Sequence, residues 1–159
     1  MDDNIKFLKG ISLFKGVDEQ GLADIIKITK EVSYGEREKV ILEGTDSTTL
    51  YIIKSGLVHI TKEIDEVDKL LSMLGAGDFF GEMCLFAPGL RSATASAIKK
   101  TTLIEIEKRA FDRLVEEKPR VATKILYAMM EEMARRVRGS NEMVKNWVMW
   151  VKAVQEAGE

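Results

Sequence analysis

Soft metal ligands are almost missing from this sequence: in 159 residues there is one cysteine, Cys84, and one histidine, His59. A single cysteine closes no internal disulfide, and such usage fits a reducing compartment. One histidine with one cysteine cannot make a closed structural zinc site of the usual kinds. It also disfavours a cupin-type enzyme, which gathers several histidines around a metal. A Ser-His-Asp enzyme would have to use His59 as its base. In "GLVHITKE" Val58 and Ile60 alternate with His59 and Thr61, which predicts a solvent-facing histidine on a strand. No apolar run approaches the ~18 residues of a membrane span, and "MDDNIKFLKG" lacks a signal peptide's basic-then-apolar order. The expected setting is therefore cytoplasmic, without membrane attachment. The formal net charge of -2 supplies no general field for nucleic acid. Internal repeats and low-complexity tracts are absent.

What is present divides into three zones. Residues 3 to about 29 read as helical, with Asp18 as a cap and Leu22, Ile25 and Ile26 on one face. From about 30 to 107, short segments rich in β-branched and aromatic residues alternate with turn residues ("EVSY", "KVILE", "TLYIIK", "GLVHITKE", "KLLSML", "SATASAI", "TLIEIE"). No helical crossover interrupts the series, so the strands should be antiparallel. The predicted fold class is α+β: an antiparallel β jelly-roll barrel flanked by N-terminal helices and a long C-terminal helix. From 108 onward the chain is helical again, with Pro119 suited to a first turn. Ile125, Met129, Met130, Met133 and Val137 form a stripe at helical spacing. Gly139 is expected to interrupt it before Val144, Trp147, Val148 and Val151 resume. The division predicted is 1–118 for the β-roll unit and 119–157 for a C-terminal lid or dimerisation region.

The chemistry concentrates in "GDFFGEMCLFAPGLRSATASA", residues 77–97, which sets Glu82 and Arg91 in otherwise apolar sequence. A helical turn over Glu82 to Ala87 would offer free N–H groups to an anion. Arg91 adds a planar fork for phosphate, and Glu82, an acceptor only, suits a sugar hydroxyl. The small residues from Ser92 on leave room beside a strand. A Glu82–Arg91 salt bridge closing the loop is the plain alternative, although a buried pair brings little net stability. Arg135, Arg136 and Arg138 read as a solvated face. Trp147 and Trp150 read as packing or a dimer seam, with stacking over a purine as the other option.

This stretch resembles the phosphate-binding cassette of the cyclic nucleotide-binding domain family, whose pattern is FGE, a short apolar helix, then Arg followed by small residues. The likeness extends over roughly residues 8 to 144. It implies that Glu82 bonds a ribose 2′-hydroxyl and Arg91 the cyclic phosphate. Gly81, Met83, Cys84, Ser92 and Ala93 would complete the ligand site. Cys84 stands where the family usually has alanine and reads as a small buried hydrophobe. "MARRVRGSNEMV" resembles the dimer helix of the bacterial catabolite activators, placing Ser140 and Asn141 near the adenine, one of them reaching across from a partner subunit; a helix cap is the plain reading of that pair. The resemblance implies a non-enzymatic, stand-alone sensor that signals by C-terminal helix movement. Its ligand would be cAMP, with cGMP second because Ser92 follows Arg91, and it would carry no other cofactor and no metal. A homodimer through the C-terminal helix is expected. Direct DNA binding is not, since residues 145–159 continue one amphipathic stripe. The alternatives are a ligand-independent dimeric scaffold, or a fragment of a longer transcription regulator, channel or kinase.

Overall fold

The computed structural model describes residues 3–87 and 89–157, with side chains described as far as residue 153. Met1, Asp2 and Pro88, which the predicted unit and cassette include, lie outside the described residues. Helix α1 (Asp3–Lys9), a 3-10 turn (Ser12–Phe14) and α2 (Glu19–Lys27) come first. The strands follow: β1 (Thr29–Tyr34), β2 (Lys39–Ile41), β3 (Thr49–Ser55), β4 (Leu57–Ile64), β5 (Val67–Gly75) and β6 (Phe79–Phe80). After α3 (Met83–Phe86) come β7 (Thr94–Ala97), β8 (Thr101–Glu107), α4 (Lys108–Glu117) and α5 (Pro119–Ala157). The Asp18 cap forms as expected, with its carboxylate accepting from the Gly21 N–H at 2.8 Å. Pro119 opens α5, where its missing N–H is not needed.

The strands pair antiparallel in two four-stranded sheets, ordered β1-β8-β3-β6 and β2-β7-β4-β5. They do not close into the predicted barrel. The edge strands β2 and β6 have three and two residues, too short to stitch one sheet to the other. Successive side chains of β3 and β8 face opposite sides, so their buried residues divide between two cores. Leu50, Ile52, Ile104 and Ile106 face a core shared with α1, α2, α4 and the start of α5. Tyr51, Ile53 and Leu103 face the space between the sheets, where Tyr51 stacks on Phe80 with ring centroids 5.2 Å apart.

Two expectations are corrected. Gly139 does not interrupt the C-terminal helix: α5 runs unbroken for 39 residues. One interior glycine costs only about 1 kcal/mol relative to alanine, which a helix of this length absorbs. His59 is half buried instead of solvent-facing, because β4 has neighbours on both edges and His59 lies between Met73 of β5 and Ser96 of β7. The β4–β5 hairpin turns on two residues, Asp65 and Glu66, both with positive φ.

Candidate functional site

The inter-sheet core opens into a cavity of about 570 Å³ bounded by β5, the segment 80–95 and α5. Gly81, Glu82, Met83, Cys84, Arg91, Ser92, Ala93 and Ser140 all line it. Asn141 does not: it is an exposed residue of α5 beyond the lining. The predicted helical turn is present as α3, with Glu82 as its N-cap residue and Cys84 and Leu85 buried beneath it.

Gly81 sets the geometry. Its φ of +79° belongs to the left-handed region, which glycine enters at no steric cost. A Cβ there would lie 2.8 Å from both Arg91 Nη1 and the Thr49 carbonyl oxygen. The backbone is thus pressed against the guanidinium, and Nη1 donates to the Gly81 carbonyl at 3.1 Å. Nη2 donates to Ser47 Oγ at 2.8 Å and to the Thr49 carbonyl at 2.7 Å. Arg91 is only 5% exposed, and its Nε–H has no partner among the described residues. Buried donors are nearly always paired, and an orphan carries the full desolvation cost. A cation held by neutral oxygens, with a donor left over beside a cavity, is poised for an anion.

Glu82, 6% exposed, does not pair with Arg91. Its counter-charge is Arg136 on α5, whose Nη1 lies 3.5 Å from Glu82 Oε1. That distance is long for a hydrogen bond, so the Glu82 oxygens keep acceptor capacity for another donor. Arg136 also donates from Nη2 to the Phe79 carbonyl at 2.8 Å and from Nε to Glu132 at 3.0 Å, and it stacks over the Phe79 ring. Expected on a solvated face, Arg136 instead clamps α5 to Phe79 and Glu82. The readable signal was the helical face it shares: Glu132, Arg136, Gly139, Ser140 and Met143 recur at i, i+4, i+7, i+8 and i+11 and all line the cavity. Burial pushes the Glu132 carboxyl up, but hydrogen bonds from Arg135 and Arg136 outweigh it and hold the group below its ordinary range. Trp147 and Trp150 are each 64% exposed and do not pack against the roll.

The strand after Arg91 is braced by Lys62, which donates to the Ser92 carbonyl at 2.9 Å and to Glu43 at 2.6 Å. The Glu43 N–H in turn donates to Thr94 Oγ1 at 3.0 Å. These ties hold Ser92 and Ala93 open along one wall.

Comparison with known proteins agrees with this geometry. The family profile described as "Cyclic nucleotide-binding domain" matches residues 31–118. A CRP-like cAMP-activated global transcriptional regulator of Mycobacterium tuberculosis is 29% identical over 137 residues, which cover 86% of this chain and 59% of that protein. The chain thus spans under two thirds of that relative's length. The N-terminal domain of a Streptomyces coelicolor transcriptional regulator superposes with a TM-score of 0.70 at 27% identity, covering 87% of this chain and 94% of that one. The regulatory domain of Toxoplasma gondii PKA, solved with cAMP, gives 0.66 at 30% identity, covering 76% and 45%.

Proposed function

The chain belongs to the cyclic nucleotide-binding domain family, and from that premise we propose that it is a cAMP sensor whose bound nucleotide repositions α5. The observation that carries the reading is the Arg91 guanidinium, buried beside the cavity with its Nε–H unpaired among the described residues. A ligand-independent scaffold would have no use for that costly donor. The cyclic phosphate accepts from Arg91, and the ribose 2′-hydroxyl donates to Glu82. The purine lies toward Ser140 between β5 and α5. With the Ser92 hydroxyl following the arginine, cAMP is the first ligand and cGMP the second.

Output follows from Arg136. A ribose hydroxyl on Glu82 changes what the Arg136 cation must balance, and Arg136 is fixed on α5. A ligand shifts a conformational equilibrium only through differential contacts with the two states, and this pair supplies one. Along the outer face, Met130, Val137, Val144 and Val151 recur every seven residues, the first three of them exposed. That spacing suits an α5–α5 seam, so the sensor works as a homodimer. Binding, with no chemical conversion of the nucleotide, is the whole activity.

Calorimetric titration with cAMP and cGMP, on protein freed of co-purified ligand, tests the reading. Saturable heat with cAMP exceeding that with cGMP supports it; no heat with either overturns it. Light scattering tests the dimer, and a monomer at micromolar concentration refutes the seam.

A further inference from the structure

Cys84 is the one cysteine of the chain, a free thiol among the buried residues, and the proposed nucleotide contacts do not use its sulfur. It lines the cavity yet is only 6% exposed. A reagent therefore reaches it through the cavity, and a second protein chain is too large to do so. An inter-protein disulfide at Cys84 is excluded on those grounds, whereas a small molecule is admitted. The second observation concerns charge. Arg91, nine-tenths buried with an Nε–H unpartnered among the described residues, lines the same cavity. A small molecule carrying a carboxylate is therefore drawn into the cavity that Cys84 also lines.

We infer that Cys84 is a modification site: a small anionic disulfide enters the cavity, exchanges with the Cys84 thiol, and closes the cavity to nucleotide. The inference rests on the reading of the cavity as the nucleotide site. In the exchange the Cys84 thiolate, its proton lost to solvent, attacks one sulfur of R–S–S–R. A Cys84–S–S–R bond forms, the original S–S bond breaks, and R–S⁻ leaves. The Cys84 sulfur is oxidised, one half of the reagent is reduced, and no further oxidant is required. The appended group lies where α3 meets the cavity, beside Glu82 and Met83, so nucleotide and modification exclude each other. A thiol reductant restores the site.

The test uses dithiobis(nitrobenzoate), an anionic disulfide whose leaving thiolate is coloured, on the full chain. One equivalent of thiolate per chain is expected from the folded protein, none from Cys84→Ser, and at least about tenfold slower release when cAMP saturates the site. The modified protein should lose cAMP binding by calorimetry and regain it after dithiothreitol. An uncharged dipyridyl disulfide should gain less rate over a free thiol than the anionic reagent does. No release until the protein is unfolded in urea, or unchanged cAMP affinity after full modification, overturns the proposal. Untreated protein that binds no cAMP while releasing thiolate normally overturns the nucleotide reading instead, and with it the regulatory claim.

Discussion

Replacing Gly81 with alanine tests the site at its most constrained point. An L residue in the left-handed region costs about 1–2 kcal/mol. The new Cβ also meets the Thr49 carbonyl oxygen at 2.8 Å, and that oxygen belongs to β3 where Thr49 pairs with Glu107 of β8, so it yields little. Arg91 Nη1, at the same distance, can withdraw only by giving up its bond to the Gly81 carbonyl. A hydrogen bond to a charged group contributes about 1.5–3 kcal/mol. Together these predict a loss of roughly 3–5 kcal/mol, a large share of the 5–15 kcal/mol typical of a domain. With a urea m-value of about 2 kcal/mol per molar, the midpoint of unfolding should fall by about 1.5–2.5 M. Equilibrium urea denaturation followed by tryptophan fluorescence and far-UV circular dichroism reads it, the second signal guarding against a local change around Trp147 and Trp150. A fall below about 0.5 M with unchanged m would refute the argument, since the Cβ would then have found room. Arg91→Lys is the companion variant: it adds no steric load but loses the fork, so it should weaken cAMP binding while lowering the midpoint less than Gly81→Ala does.

Other outcomes follow from the same contacts. Arg91→Leu should weaken cAMP binding by ~3 kcal/mol, because a buried charged partner of the phosphate is lost, and Glu82→Ala by about 1.5–3 kcal/mol; calorimetry reads both, and equal affinities across the three proteins would contradict the assigned roles. Arg136→Ala leaves the buried Glu82 carboxylate without its cation and should destabilise the fold by about 1–3 kcal/mol in thermal or urea melts. Glu105 is pushed above the usual carboxylate range, chiefly by burial with repulsion from Glu107 added, despite the counteracting Lys30. Its favourable contribution is therefore complete only in acid and is lost as pH rises through the folded value, so Glu105→Gln should raise stability near neutral pH and lose that advantage in acid. Glu132, held low, has the opposite sign: Glu132→Gln should destabilise at neutral pH, and the difference should vanish as pH falls through the folded pKa.

The parts of this fold that could be read from the sequence are those governed by neighbours in the chain. Asp18 caps α2 because a cap needs only a donor three residues on. The strands of residues 29–107 follow period-2 runs, and residues 80–84 and 90–93 line one wall of the cavity because the glycine, the carboxylate and the arginine lie close together in the chain. What stayed hidden depends on contacts made across the fold. Arg135, Arg136 and Arg138 are alike in sequence, and only the docking of α5 against Phe79 decides which of them meets Glu82. Sheet closure is likewise decided by how two short edge strands lie, which no local pattern encodes. Gly139 does not break α5 because the cost of one glycine is small beside a helix of 39 residues.

The unbroken α5 has a mechanical consequence. At 1.5 Å per residue its 39 residues reach about 58 Å, and about 32 Å of that length lies beyond Arg136. If Arg136 acts as the fulcrum, a tilt of about 10° there, small enough to need only rotamer changes around Glu82, sweeps the far end through about 5–6 Å. A helix broken at Gly139 would dissipate that motion within one turn. Under the proposed function, rigidity past the cavity would work as gain: the length of the helix would multiply an ångström-scale rearrangement at one carboxylate into a displacement that another protein surface can detect.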